Sequence, residues 1–96
     1  MTERVPVDVI NNEAAHRFEA RVDNVLAIAE YTRSNHTITF THTKVPERLR
    51  GHGVANQIAR AALAYARANH LKVVPVCPFF AGFIKRHPEY QDLTES

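Results

Sequence analysis

The sequence is poor in the features that mark membrane, secreted and disulfide-rich proteins. Its single cysteine, Cys77, excludes an internal disulfide and favours a reducing compartment. No apolar run approaches the roughly 20 residues that a helix needs to span a bilayer. The first residues, Met1 to Arg4, lack the apolar segment of a signal peptide. We therefore expect a cytoplasmic protein with no membrane partner.

The sequence also lacks a large excess of charge of either sign. Twelve Lys and Arg residues face ten Asp and Glu residues, which gives a formal net charge of +2 at pH 7. Binding of nucleic acid needs a stronger and clustered positive charge, so we expect no nucleic-acid partner. The histidines and carboxylates show no convincing metal-ligand spacing, and we expect no metal. With 96 residues, the chain has room for one domain, 1–96, with a modest core.

What the first half does contain is a pattern of apolar residues that predicts four β-strands. Turn-forming Asn and Asp residues, which tolerate left-handed backbone, recur at 11–12, 23–24 and 35. Between these turns the residues alternate in polarity or are apolar and β-branched. The predicted strands are Val5–Val9, Phe18–Val22, Val25–Thr32 and Thr37–Val45. Short turns between successive strands predict an antiparallel meander.

The second half changes to a helical period. The segment Gly53–Asn69 is rich in alanine and contains no proline, which predicts one long helix. A short strand, Lys72–Val76, follows and should run parallel to the fourth strand, because strand–helix–strand crossovers are right-handed. Pro78 suits the start of a second helix that Pro88 ends. We expect an α/β fold, with Gln91–Ser96 as a frayed tail.

The most informative stretch lies between the fourth strand and the long helix, where the sequence reads Arg48-Leu49-Arg50-Gly51-His52-Gly53. The N-terminus of a helix carries free N–H groups and a partial positive charge, which suit a phosphate. The two glycines let backbone amides approach an anion closely, and Arg48 and Arg50 add positive charge. This stretch predicts a cradle for a pyrophosphate. By itself, however, a G-x-G at a helix start also fits a simple turn with solvated arginines.

Two common nucleotide-binding motifs do not fit this stretch. A dinucleotide fingerprint needs a third glycine at position 56, which is Asn, and an acidic residue after the next strand. A Walker loop needs Gly-Lys followed by Ser or Thr, which the sequence lacks.

At this stretch the chain resembles the GNAT superfamily of acetyltransferases, whose signature is [Q/R]-x-x-G-x-[G/A]. Arg48, Gly51 and Gly53 fill those positions. The chain is more closely similar to very small GNAT-like proteins that consist of little more than this core. The matching runs are His42-Thr43-Lys44-Val45-Pro46, Arg50-Gly51-His52-Gly53-Val54-Ala55, Ala66-Arg67, Val74-Pro75-Val76-Cys77-Pro78-Phe79 and Lys85-Arg86-His87-Pro88-Glu89-Tyr90. The resemblance implies a four-stranded meander, a crossover helix, a parallel fifth strand and a C-terminal helix.

The resemblance also implies a cofactor, acetyl-CoA, with its pyrophosphate on the loop amides and its pantetheine arm between the fourth and fifth strands. The thioester is then expected near His42–Val45 and Val76–Cys77. An unidentified amine would accept the acetyl group. The residues assigned to the cofactor are Val45, Arg48, Arg50, Gly51, His52, Gly53, Val54 and Ala55.

Two residues are candidates for catalysis. Cys77 directly precedes a helix start, where a thiolate is favoured, and a thiolate beside the thioester could accept the acetyl group; the alternative is a buried packing cysteine. His42 lies on the fourth strand, and histidine can deprotonate an ammonium near neutral pH. Its alternative is a solvated or cross-strand-paired histidine.

The sequence departs from larger GNAT enzymes in two ways. Asn11-Asn12 leaves room only for a turn where those enzymes carry helices that build the acceptor pocket. The fourth strand also lacks the glutamate that often serves as base. A binding module for CoA or acyl-CoA with little transferase activity is therefore an open alternative. A third hypothesis, an interaction domain that uses Arg48, Arg50, Arg60 and Arg67, is disfavoured by the small net charge.

Overall fold

The computed structural model describes residues 6–94 as a five-stranded sheet with two helices. The regular elements are β1 (Val9–Asn12), β2 (Arg17–Val22), β3 (Val25–Ser34), β4 (Thr37–Lys44), α1 (Val54–Ala68), β5 (Lys72–Pro75) and α2 (Pro78–Arg86). Three 3₁₀ segments connect or follow them: Glu13–Ala15, Glu47–Leu49 and Pro88–Thr94. The predicted α/β fold is confirmed. Val5, which we placed at the start of the first strand, lies outside the described residues.

The sheet has the predicted topology. Its strands are ordered β1-β2-β3-β4-β5, the first four pair antiparallel, and β5 runs parallel to β4. The left-handed backbone at Asp23, Asn24 and Asn35 marks the two hairpin turns, as the sequence predicts.

The pairing between β4 and its neighbours is interrupted near the middle of β4. Glu30 lies opposite His42 and Tyr31 lies opposite Phe40, so Thr41 is an extra residue that forms a bulge. On the other side, the ladder with β5 ends at the pair Phe40–Pro75, and the N–H of Cys77 donates to the carbonyl of Phe40 at 2.9 Å. The chain segments 41–45 and 76–77 therefore flank a space that we call the β4–β5 gap.

Both helices pack on the same face of the sheet. Val54, Ile58 and Ala62, which recur at helical spacing along α1, are buried against this face. In α2, Phe80 stacks on Phe40 of β4, with ring centroids 4.1 Å apart. Such aromatic pairs contribute about 0.5–1.5 kcal/mol beyond burial of their area. The structure is thus a sheet with one helical layer.

The other face, which we call the open face, is covered by no helix among residues 6–94. It carries the side chains that alternate with the core residues along each strand. They include Ile10, Arg17, Glu19, Ile28, Glu30, His42 and Lys44. Ile10 is 62% exposed, which is unusual for a large apolar side chain. No helix in the described part of the chain is long and apolar enough to cross a membrane.

The turn expected at Asn11-Asn12 is wrong by a few residues. Both asparagines belong to β1, and the chain reverses at Glu13–Ala15, followed by His16 in the left-handed region. Asn12 accepts a hydrogen bond from the N–H of Ala15 at 3.2 Å and so caps the 3₁₀ turn. Asn11 accepts one from the hydroxyl of Tyr31 at 2.7 Å, which ties β1 to β3. The two asparagines therefore stabilise β1 and the start of the turn by side-chain hydrogen bonds, and the turn itself is formed by the residues that follow them.

The expected frayed tail is also wrong for residues 91–94, which belong to the 3₁₀ segment Pro88–Thr94. Leu93 is buried in the core. Arg67 of α1 donates to both carboxylate oxygens of Asp92, at 2.9 and 3.0 Å, and to the carbonyl of Glu89 at 2.7 Å. This fork of hydrogen bonds holds the C-terminal segment on α1. Residues 95 and 96 lie outside the described residues.

We predict that Asp92→Asn lowers stability near neutral pH and not at acid pH. The hydrogen bonds and charge of Arg67 hold the pKa of Asp92 below its ordinary value. The carboxylate therefore stabilises the fold above the unfolded pKa of about 3.9, and this contribution is lost as the pH falls through the lower folded pKa. Urea denaturation of wild type and variant between pH 7 and pH 3 measures the difference. Asp8→Asn, at an exposed position before β1, is the control. An equal deficit at both pH values would contradict the charge pairing.

Candidate functional site

The loop between β4 and α1 is held in a defined shape by two contacts. Leu49, at the end of the 3₁₀ segment Glu47–Leu49, is only 6% exposed and anchors the loop in the core. Arg50 donates from Nε to the carbonyl of Val45 at 3.1 Å, which draws the loop back toward the end of β4. Its guanidinium consequently lies beside the strand end, at the entrance to the β4–β5 gap.

The two loop glycines adopt backbone that favours glycine. Gly51 has φ 82° and Gly53 has φ 77°, both in the left-handed region where a Cβ atom is strained. Gly53 is the N-cap of α1, and as a glycine it has no side chain with which to cap this helix end. The N–H groups of Val54, Ala55 and Asn56 begin the helix and have no acceptor within it, which creates the anion-binding geometry typical of a helix N-terminus.

Gln57 fixes this end of the helix to the rest of the fold. Its backbone N–H donates to the carbonyl of Gly53 at 3.2 Å, and its side-chain amide donates to the same carbonyl at 3.3 Å. Its side-chain oxygen accepts from the N–H of Val7 at 3.0 Å. The glycine turn is thus supported from the segment that precedes β1. The sequence pattern did not indicate this role for Gln57, because the contact joins residues 50 positions apart.

A cavity of about 450 Å³ opens over this loop. That volume lies within the range of about 300–1,000 Å³ for small-molecule sites. It is lined by Val45, Leu49, Arg50, Gly51, His52, Gly53, Val54, Ala55 and Asn56. Seven of the eight residues predicted to bind the cofactor therefore surround one cavity. The eighth, Arg48, lines an adjoining cavity of about 190 Å³, which also contacts His52.

A third cavity, of about 430 Å³, continues from the loop along β4. It shares Val45 and Arg50 with the loop cavity. The rest of its lining comes from β3, from β4 and from the second residue after β4: Leu26, Ile28, Thr43, Lys44 and Pro46. The sequence did not single out Leu26 or Ile28, since an apolar strand residue is ordinarily assigned to the core. The two cavities together extend the site from the loop along the end of β4 toward β3.

Cys77 lies at the inner end of the β4–β5 gap. It is 4% exposed and occupies the N-cap position of α2, just before Pro78. Its Sγ is 3.2 Å from Oγ1 of Thr43 on β4, close enough for a hydrogen bond between the two groups. The thiol thus faces the strand across the gap, on the side of the sheet that the helices cover.

His42 lies on the opposite side of β4. Its side chain is 69% exposed on the open face, and its Nδ1 is 3.8 Å from Oε1 of Glu30 on β3. Glu30 was missed in the sequence, because a glutamate base was sought on the fourth strand alone. The register that brings Glu30 opposite His42 depends on the bulge at Thr41, which no local pattern indicates.

The structure does not bring His42 and Cys77 into contact. His42 pairs with Glu30 on the open face, whereas the next residue, Thr43, points to the helical side and contacts Cys77. A cysteine–histidine pair of the kind that activates a nucleophile therefore does not form here. The two groups flank the β4–β5 gap from its two sides. In residues 6–94, no cluster of three or more His, Cys, Asp or Glu side chains is able to hold a metal ion.

Comparisons with known proteins place this chain in a family. A family model described as GCN5-related N-acetyl-transferase matches residues 17–93. Protein NATD1 of Danio rerio is 30% identical over 89 residues, which cover 91% of this chain and 80% of that protein. Protein NATD1 of Homo sapiens is 28% identical over 87 residues, which cover 86% of this chain and 76% of the relative.

A solved structure has the same architecture. It is the solution structure of a Staphylococcus aureus protein described as GCN5-like, with a TM-score of 0.72 and 30% sequence identity. The match covers 90% of this chain and 85% of that one. Fold, loop and sequence agree, and the chain belongs to the GCN5-related N-acetyltransferase family.

Proposed function

We propose that this protein binds acetyl-CoA and transfers its acetyl group to a primary amine. The observation that carries the proposal is the cavity of about 450 Å³ at the N-terminus of α1, which is lined by the glycine turn, by Arg50 and by Val45 directly after β4. Family membership supports the same reaction. The single cysteine is free, which fits the reducing cytoplasm as the place of action.

The residues present suit the cofactor. The amides of Val54 and Ala55, the glycine turn and the guanidinium of Arg50 supply donors and positive charge for the two phosphates. Arg48 and His52, which line the adjoining cavity, add polar groups to the same edge. Residues 41–44 of β4, which precede Val45, are not paired with β5. The backbone of β4 on the side of β5 is therefore accessible there to the amide-bearing pantetheine arm. These residues would hold the cofactor through its phosphates and its pantetheine amides.

Bound acetyl-CoA supplies an activated acetyl thioester, and the protein must orient it and remove a proton from the amine. An amine is protonated at neutral pH and attacks only after it loses that proton. His42 is the group that we assign to this step, because its imidazole is exposed beside the β4–β5 gap and a neutral imidazole can accept a proton. Thr43 and Cys77 would close the gap on the side of the sheet that the helices cover, so that water would not reach the thioester from that side.

Cys77 offers a second route for the acetyl group. The Cys77 sulfur, as the thiolate, would attack the thioester carbonyl, the C–S bond to CoA would break, and the amine would next take the acetyl group from the protein. The buried thiol and its contact with Thr43 give it a fixed position from which to act, and they equally suit a packing residue. Direct transfer to the amine needs no such step.

A second function is favoured by the open face. Because no helix among residues 6–94 covers it, no helix there forms the wall of an acceptor pocket. A module that binds CoA or acyl-CoA, with little transfer of its own, would need the loop and the β4–β5 gap but no acceptor pocket. Measurements of binding and of transfer separate the two functions.

We predict that acetyl-CoA stabilises the protein and that the loop is responsible. At a free concentration of ~100 Kd, the ligand should add about 2.7 kcal/mol, which raises the Tm of a domain of this size by about 10–20 °C. Arg50→Ala should weaken binding about tenfold through loss of charge-assisted hydrogen bonds, and Arg50→Lys should weaken it less. Lys85→Ala, on an exposed turn of α2, is the control. If neither acetyl-CoA nor CoA shifts the Tm, both proposed functions are wrong.

We predict that His42→Ala removes the acidic limb of the kcat/KM profile while acetyl-CoA still binds. The acidic limb arises because a protonated imidazole cannot accept the proton of the amine. The assay uses a panel of primary amines consisting of a lysine peptide, spermidine, phenethylamine and leucine. His36→Ala, in the exposed turn between β3 and β4, is the matched control. An unchanged profile in His42→Ala would remove His42 from the mechanism.

We predict a gain of one acetyl group at Cys77 if the covalent route operates. Intact-mass measurement after mixing with acetyl-CoA, followed by addition of the amine panel, should show the acetyl group appear and then leave. Cys77→Ser and Cys77→Ala should prevent the mass gain. Full transfer activity in Cys77→Ala would show that the amine takes the acetyl group directly and that Cys77 only packs.

A further inference from the structure

A carboxylate–imidazole pair lies on the open face beside the β4–β5 gap. Nδ1 of His42 is 3.8 Å from Oε1 of Glu30, and the two side chains are 69% and 38% exposed. They are directly opposite each other in the antiparallel register of β3 and β4. Cross-strand partners of this kind have Cβ atoms about 4.5–5.5 Å apart, so small side-chain rotations close or open the contact.

The bulge in β4 creates this pair. Tyr31 is opposite Phe40, and without the extra residue Glu30 would lie opposite Thr41. The bulge moves the next residue, His42, into that position and turns its side chain to the open face. The hydroxyl of Thr41 donates to the carbonyl of Glu30 at 3.3 Å, which stabilises the bulge at this point. The bulge at Thr41, which directly follows the last β4–β5 pair at Phe40, therefore also aligns Glu30 with His42.

The charges around the pair leave Glu30 oriented toward His42. Arg17 lies opposite Glu30 on β2, but its Nε contacts Oε2 of Glu19 at 2.5 Å. Asn12 donates to the same Glu19 oxygen at 3.1 Å. Arg17 is therefore paired with Glu19, its neighbour on β2, rather than with Glu30. Lys44 follows His42 on the open face, two residues along β4. Glu30 is the carboxylate that the register places directly opposite His42.

We propose that Glu30 is a positioning residue for His42 in the amine-deprotonation step. The Glu30 carboxylate faces Nδ1 and favours the tautomer with the proton on that nitrogen, so that Nε2 carries the free lone pair. Nε2 takes one proton from the ammonium of an acceptor that arrives across the open face, and later releases it to water, while Glu30 stays ionised. The glutamate absent from β4 is thus replaced by one on β3 that acts through a histidine. The inference rests on the proposed acetyl transfer.

The test compares the tautomer of His42 with the rate of transfer. In ¹⁵N-labelled protein at a pH where histidines are neutral, NMR should show His42 mainly with its proton on Nδ1. Glu30→Gln should shift it toward the Nε2–H form, and Glu30→Asp should restore part of the effect. Asp8→Asn, which removes an exposed carboxylate before β1, should leave the His42 tautomer unchanged. His42→Ala identifies the signals among the six histidines.

In parallel, Glu30→Gln should lower kcat/KM on the amine panel at least about tenfold, as part of the ~100- to 10,000-fold that a general base contributes. The Kd for acetyl-CoA and the Tm should stay at the wild-type values. An unchanged tautomer in Glu30→Gln, or a changed tautomer with unchanged kcat/KM, would overturn the inference. Acetyl-CoA binding without transfer in the wild type would instead overturn the proposed reaction, and the tautomer result would still decide whether Glu30 positions His42.

Discussion

The arrangement of the site depends on the point at which β4 stops pairing with β5. The ladder ends at Phe40–Pro75, and the hydrogen bond from Cys77 to the Phe40 carbonyl closes it. Directly beyond, the bulge at Thr41 changes the register of β4 against β3. Since paired strands leave no backbone accessible between them, a bound arm can enter the sheet only where the pairing is broken. The stacked rings of Phe40 and Phe80 stabilise the sheet immediately before that point.

Beyond this interruption, β4 presents different chemical groups on the two faces of the sheet. Thr43 and Cys77 are on the side covered by the helices, where the thiol is buried and little water reaches it. His42 and Glu30 are on the open face, where solvent and an amine have access. A proton leaving an amine needs an accessible base, whereas a buried thiol is protected from water and oxidants. The alternation of side chains along β4 is sufficient to produce both environments from consecutive residues.

Local pattern in the sequence predicted the elements well and their long-range consequences poorly. The helix was predicted as Gly53–Asn69 and is Val54–Ala68, with the predicted ends as its caps, because alanine content and glycine are local signals. The β4–α1 loop was identified because a short motif holds nearly all of its residues. Glu30, the contact of Gln57 with Val7 and the attachment of Asp92 to Arg67 were not found, since each depends on register or on packing between distant segments. The prediction of a turn at Asn11-Asn12 was wrong for a related reason. Asn11 bonds to Tyr31 on a distant strand, and Asn12 caps the 3₁₀ turn that follows β1.

The loop and the open face place different limits on function. In the proposed function, the loop would contact the phosphates and pantetheine amides that every CoA thioester carries, so it would contribute affinity without choosing an acceptor. The acceptor would then be chosen on the open face, by Glu30, His42 and Lys44 and by the neighbouring cavity that Leu26 and Ile28 line. A shallow face buries little of a small amine and so provides weak binding for it. An amine that is part of a larger molecule, with additional surface to place on the sheet, would gain the affinity that the face alone does not offer.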